Sequence, residues 1–244
     1  EIGVHIADVS HYLKIGSEID KEARNRGTSV YLVDRTIPML PETLSNDLCS
    51  LVPNQDRLCM SAVFLIDKNA KVKDKWFGRT IIHSKYRFTY ATAEKAIHEK
   101  NEILHKELST LNDLAKKLTK ERFANGAISL EQEEVKFVLD KNSVPIKVIL
   151  KERGDSNKLI EEFMLLANRQ VAETISTDAK GKKLKIPQSG VFVYRIHDLP
   201  NKEKMADLAI LLKSLGYKVS LKNGIIPSFE LNEILKKLEG KNEK

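Results

Sequence analysis

The sequence predicts an α+β fold, a mixed sheet packed with helices, and three observations carry that reading. Short runs with an apolar residue at every second position recur along the chain, the spacing of a strand that buries one face. Longer stretches repeat apolar residues every three or four positions, as amphipathic helices do. The two kinds do not alternate in the regular order of a parallel doubly wound sheet. The 244 residues, 41 % hydrophobic and 31 % charged, leave room for a substantial core and rule out a disordered composition. No internal repeat or low-complexity linker divides them, so a single domain over residues 1–244 is expected.

Taken in order, Ile2, Val4, Ile6 and Val9 predict a strand over residues 2–13, ending its alternation at Asp8 and Ser10. Glu18–Arg26 is a short polar helix with Gly27 as its C-cap. Residues 29–33 form a short strand. Residues 37–41 must be extended, because Pro38 and Pro41 fix φ and remove donors. Residues 59–66 and 72–80 read as a hairpin turning at 67–70. Over 91–123 the spacing of Leu104, Leu108, Leu111, Ala115 and Leu118 predicts one long helix, ended by Asn125 and Gly126. Strands follow at Val135–Leu139 and Pro145–Leu150. Residues 159–175 are apolar nearly all round a helix, which places them in the middle of a domain. A strand over 191–196, an amphipathic helix over 201–215 closed by Gly216, and a helix from Leu231 complete the chain before a polar tail.

The formal charge of +7 favours polyanionic partners, nucleic acid first. No run of about 18 apolar residues is present to span a membrane. There is no signal-peptide pattern, and Glu1 is not a natural start, so upstream sequence is expected. Cys49 and Cys59, each beside apolar residues, read as buried thiols of a protein in a reducing cytoplasm.

Residues able to carry chemistry are few. On one continuous strand His5 and His11 would share a face, but no further ligand completes a metal set. Phosphate-binding glycine loops, G-x-S-x-G elbows and CxxC pairs are missing. Glu161 and Glu162 interrupt an apolar helix. Burying a carboxylate is costly unless it is paired or meets a cation, so either a basic partner or a role beside a substrate sugar or metal is implied. Residues 85–90 interleave Lys85 and Arg87 with Tyr86, Phe88 and Tyr90. That pattern fits stacking of bases and pairing of phosphates along single-stranded nucleic acid, and equally an aromatic core face. A second such cluster is Tyr194-Arg195-Ile196-His197.

Several long segments resemble the catalytic domain of the ribonuclease R/ribonuclease II family (the RNB-type exoribonucleases), bacterial ribonuclease R most of all. They are Val4-His5-Ile6-Ala7-Asp8-Val9-Ser10-His11-Tyr12, the stretch from Glu22 to Tyr31, Ile37-Pro38-Met39-Leu40-Pro41-Glu42, and Leu44-Ser45-Asn46-Asp47-Leu48-Cys49-Ser50-Leu51. Phe88-Thr89-Tyr90, Gly126-Ala127-Ile128-Ser129, the stretch from Leu159 to Asn168, and Tyr194 to Pro200 follow in family order, so the resemblance covers about residues 1 to 217. It implies a processive, Mg²⁺-dependent hydrolase that degrades single-stranded RNA from its 3′ end to nucleoside 5′-monophosphates, acting as a cytoplasmic monomer. The family's metal-binding aspartates precede the first strand, and an arginine-bearing element follows the last helix. The chain therefore reads as an internal piece of the domain that lacks the main metal ligands and is inactive alone. Asp8 is the expected neighbour of the catalytic site. Tyr90, Arg87, Tyr194, Arg195, Arg26 and Asn46 are the expected RNA contacts. Tyr90 matches a family tyrosine that stacks near the 3′ end and influences product length. Glu161, Glu162 and Asn168 are expected to support the RNA channel. The alternative is a non-catalytic RNA-binding or scaffolding protein that keeps the fold.

Overall fold

The computed structural model describes residues 1–128, 134–150, 153–177, 192–196 and 198–238. The chain divides into two compact units, one of Glu1–Lys117 with Glu133–Ser189, the other of Leu118–Gln132 with Gly190–Lys244. In chain order, β1 is Ile2–Ala7, α1 Val9–Tyr12, α2 Glu18–Arg26, β2 Val30–Tyr31 and β3 Thr36–Ile37, followed by a π-helical turn at Thr43–Leu48. β4 is Asp56–Ile66, β5 Val72–His83, α3 Tyr90–His98, α4 His105–Ala124, β6 Val135–Leu139 and β7 Pro145–Leu150. The helices α5, Asp155–Ser176, α6, Lys202–Ser214, and α7, Ser228–Leu238, follow. Helices and antiparallel strands are thus mixed, as predicted.

An antiparallel sheet in the order β1-β4-β5 organises the first unit. As the middle strand, β4 buries Ala62 and Phe64 on one face and Cys59 and Ser61 on the other, while Met60 and Leu65 stay exposed. Its hairpin with β5 turns where expected. Asp67 Oδ1 accepts the N–H groups of Asn69 (2.8 Å) and Lys71 (3.0 Å), and Ala70 takes a left-handed φ of 61°. These backbone donors, Lys71 foremost, and the Lys73 ammonium hold the Asp67 carboxyl down at about 2 against the opposing effect of burial.

Other elements follow their local chemistry. Ser17 caps α2 by accepting the Asp20 N–H, and Gly27 closes it at φ 71°. β6 and β7 fall where predicted and pair antiparallel, and the exposed Val135, Leu150, Phe137 and Val148 lie together on one face of their ladder. In the second unit Ala209, Leu212 and Val219 pack with Ile226, Ile234 and Leu238, and Gly216 ends the α6 region at φ 86°.

Four expectations are corrected. The first strand stops at Ala7 and α1 begins at Val9, so His5 and His11 do not share a strand face. The predicted long helix is two, because Leu104 adopts φ 56° and His105 donates Nδ1–H to the Ala96 carbonyl, folding α4 away from α3. Helix α5 buries one face only, through Leu159, Glu162, Phe163, Leu166 and Ala167, while Ile160, Met164 and Leu165 are exposed. Residues 192–196 form no strand, and Val191 and His197 lie outside the described residues. The polar tail from Glu239 lies outside them as well.

Candidate functional site

Asp8 stands where β1 gives way to α1, and alternation along β1 turns its side chain to the face that carries Ile6. It is 3 % exposed. Both carboxylate oxygens are engaged: Oδ1 accepts the Ser10 hydroxyl at 2.5 Å, and Oδ2 meets Arg79 Nε at 3.3 Å. The Ser10 hydrogen bond, ahead of the Arg79 charge, keeps the carboxyl below its ordinary range despite burial. Burial first, and the negative charge of Asp8 second, push the thiols of Cys49 and Cys59 upward, so neither is an activated nucleophile.

The basic and aromatic segment is not a strand. After β5 it runs irregularly to Tyr90, the first residue of α3. Thr89 fixes that start through a reciprocal cap with Thr92: its hydroxyl accepts the Thr92 N–H, while Thr92 Oγ1 accepts its N–H. Tyr86 and Phe88 face each other at 4.4 Å between ring centres, tilted by 48°. Arg87 and Tyr90 are exposed. Beside them opens a pocket of about 480 Å³, lined by Phe88, Tyr90, Ala93, Ile97, Leu108 and Leu159, with the Ser156 hydroxyl donating to the Tyr90 carbonyl at its edge. An apolar cavity of this size with few polar groups suits a flat ring.

The same helices meet at a charged junction that sequence reasoning missed. Gly154 offers no side chain to cap α5, and Glu94 of α3 does so instead: its carboxylate accepts the N–H groups of Asp155 (3.1 Å) and Ser156 (2.8 Å). His98, one turn along α3, lies 3.2 Å from Glu94 and 3.6 Å from Asp155. Among the described residues, Glu94, His98 and Asp155 are the three acidic or histidine groups whose ligand-type atoms fall within 4.8 Å of one another. They do not fit Mg²⁺. That ion prefers an all-oxygen ligand set, whereas one of these three groups is the imidazole of His98. Asp155 is bound by the Lys116 ammonium at 2.7 Å and the Asn112 amide at 2.9 Å. A Glu and a His four apart on a predicted helix were the available signal; the Asp155 contribution came from a distant helix start.

The remaining sequence-predicted residues are dispersed. Arg26 pairs with Glu22 and donates to the Pro38 carbonyl, and Asn46 is exposed on the π-helical turn. Glu161 meets Arg153 at 3.6 Å, Glu162 is buried, and Asn168 is exposed. Tyr194 and Arg195 belong to the second unit and are exposed, with Phe192 edge-on to Tyr194 at 5.0 Å. No helix among the described residues is long and apolar enough to cross a membrane.

Comparison with known proteins gives a consistent picture. The RNB domain model matches residues 1–244. DIS3-like exonuclease 2 of Schizosaccharomyces pombe is 40 % identical over 89 % of this chain and 24 % of its own length. Ribonuclease R of Thermotoga maritima is 39 % identical over 98 % of this chain and 33 % of its own. Among solved structures, Mycoplasma genitalium RNase R in complex with ribose-methylated single-stranded RNA matches with a TM-score of 0.85 at 29 % identity, over 98 % of this chain and 37 % of that one. The chain spans about a quarter to a third of the length of these curated relatives. It belongs to the RNB family.

Proposed function

We propose that this chain is the RNA-holding part of a 3′→5′ exoribonuclease catalytic domain. The longer protein hydrolyses single-stranded RNA processively to nucleoside 5′-monophosphates, using Mg²⁺. One observation carries the reading: the likeness, over nearly the whole chain, to a ribonuclease R solved with single-stranded RNA. The net charge of +7 and the exposed Lys85–Tyr90 segment beside an apolar pocket support it. Within the first unit, terminal bases lie against Tyr90 and the pocket, Arg87 meets phosphate, and Arg26 and Asn46 add contacts; in the second unit, Tyr194 and Arg195 contact RNA in their own right. Glu161, Glu162 and Asn168 support the RNA contacts of the first unit from α5.

The Glu94, His98 and Asp155 group includes an imidazole and carries the Lys116 ammonium on Asp155, a poor match to Mg²⁺, and on this reading the main ligands lie elsewhere in the longer protein. Asp8 is then a neighbour that stiffens the site, not a metal ligand. The chain by itself binds RNA and leaves it intact. Free thiols at Cys49 and Cys59 accord with a reducing cytoplasm, and the protein acts there as a monomer.

The test is a gel assay of this chain with 5′-labelled single-stranded RNA and Mg²⁺, with EDTA as control. A shifted but intact RNA supports the reading. Mg²⁺-dependent shortening from the 3′ end means that residues of this chain build the metal site, and overturns the division of labour. If low-salt buffer gives no shift, RNA is not the ligand. A longer protein that binds without shortening RNA, at any Mg²⁺ concentration, is a scaffold that has kept the fold.

A further inference from the structure

The ion pair between Asp8 and Arg79 is unequal. The carboxylate is 3 % exposed, whereas the Arg79 side chain is 70 % exposed. The contact is made at Nε, 3.3 Å from Asp8 Oδ2. The buried carboxylate, itself fixed by Ser10 at 2.5 Å, thus acts as a mooring that leaves the outer fork of the guanidinium facing water. That fork matches the geometry of a phosphate better than a lysine ammonium does. Its surroundings are unusual for a lone surface arginine. Sheet register sets Ile6, Met60 and Arg79 in one row, and Ile81 stands on the same face two residues further along β5. Ile6, Met60 and Ile81 are 61 %, 45 % and 67 % exposed. At the other end of this sheet face Lys75 reaches Gln170 of α5, so the helix covers the face at one end and leaves it open at Arg79.

We propose that Arg79, moored by Asp8, is a phosphodiester-binding residue for an unpaired RNA strand that crosses this open end of the sheet. The proposal rests on the single-stranded RNA reading given above and adds a contact surface to it. Charge complementarity selects the occupant: an exposed guanidinium held at one edge meets backbone phosphate, and the flanking apolar side chains meet unstacked bases. A duplex keeps its bases inside and would leave the Ile6, Met60 and Ile81 surface unused.

Fluorescence anisotropy with a labelled single-stranded oligoribonucleotide, titrated at several salt concentrations, tests this on the whole chain. Arg79→Gln is expected to weaken binding about tenfold and to lower the slope of log affinity against log salt by about 0.7. Arg79→Lys keeps the charge and the salt slope but loses affinity, because an ammonium has no fork. Asp8→Asn also keeps the slope and loses less affinity than Arg79→Gln, the signature of a positioning residue. If circular dichroism shows Arg79→Gln unfolded, Arg79→Lys decides alone. Wild-type affinity and slope in both Arg79 variants overturn the proposal, and the patch is then a protein contact. If the wild-type chain itself binds no RNA, the broader reading fails, and this proposal with it.

Discussion

Replacing Glu94 with alanine removes the cap of α5 from outside that helix. Two backbone donors, Asp155 N–H at 3.1 Å and Ser156 N–H at 2.8 Å, lose a charged acceptor, and no side chain at Gly154 can take over. A cap deletion costs about 0.5–2 kcal/mol, and hydrogen bonds to charged groups lie at about 1.5–3 kcal/mol each. The Glu94 side chain is 34 % exposed, so water recovers part of the loss. About 2 kcal/mol is the resulting figure, or about 4–8 °C in Tm for a chain of this size. Glu94→Gln keeps one acceptor and should cost about half as much. The pH dependence has a definite sign. Burial raises the Glu94 pKa, but the Ser156 N–H and hydroxyl, the Asp155 N–H and His98 together hold it below its ordinary value of 4.5. Lys116, then Asn112, depress Asp155 likewise. A depressed carboxylate contributes stability that is complete above its unfolded pKa and is lost as pH falls through the folded one. The gap between wild type and Glu94→Ala should therefore be full at neutral pH and close progressively below pH 4.5. Thermal melts across pH, with hydrogen exchange of the Ser156 amide as the local probe, measure it. A melt within about 1 °C of wild type with unchanged Ser156 protection would refute the external-cap argument.

Further outcomes follow from other contacts. A Cβ at Gly154 would clash with the Glu94 carboxylate. Gly154→Ala should therefore destabilise the wild type, yet be neutral or stabilising by about 0.4–1 kcal/mol in the Glu94→Ala background, a non-additivity that a double-mutant cycle in urea detects. Asp67→Asn should loosen the β4–β5 turn at neutral pH. Its difference from wild type, followed by exchange at Lys71, should vanish only as pH approaches the depressed value of about 2. Phe64→Ala, at a fully buried position, should cost about 3–5 kcal/mol by chemical denaturation.

Features set by a few neighbouring residues were legible in the sequence, and those set by pairing across long distances were not. Gly27, Gly126 and Gly216 marked helix ends because a left-handed residue is cheap only for glycine. The Asp67 turn and the β6–β7 hairpin were likewise local. The break between α3 and α4 was hidden because Leu104 keeps the heptad-like spacing of its neighbours while adopting a left-handed φ that no pattern of apolar residues encodes. Tyr86, Phe88 and Tyr90 alternate as a strand would, but the Thr89–Thr92 cap wins and turns Tyr90 into a helix start. At the candidate site Asp8 was singled out, whereas Arg79 was not: their meeting depends on β1 and β5 flanking the same central strand. Glu94 escaped notice for a related reason, since its role appears only once α5 begins opposite it.

The order of strands also bears on how the domain assembles. β4 and β5 are consecutive and joined by a tight turn, so their ladder forms by a short loop closure on about the 1–10 μs scale of hairpins. β1 must instead find β4 across more than fifty intervening residues, as its register with Cys59 to Phe64 shows. Loop-closure entropy and topology both delay such a contact. Asp8 directly follows that strand, so Arg79 meets its mooring only once β1 has paired. Until then, a hairpin already formed leaves the Arg79 guanidinium untethered.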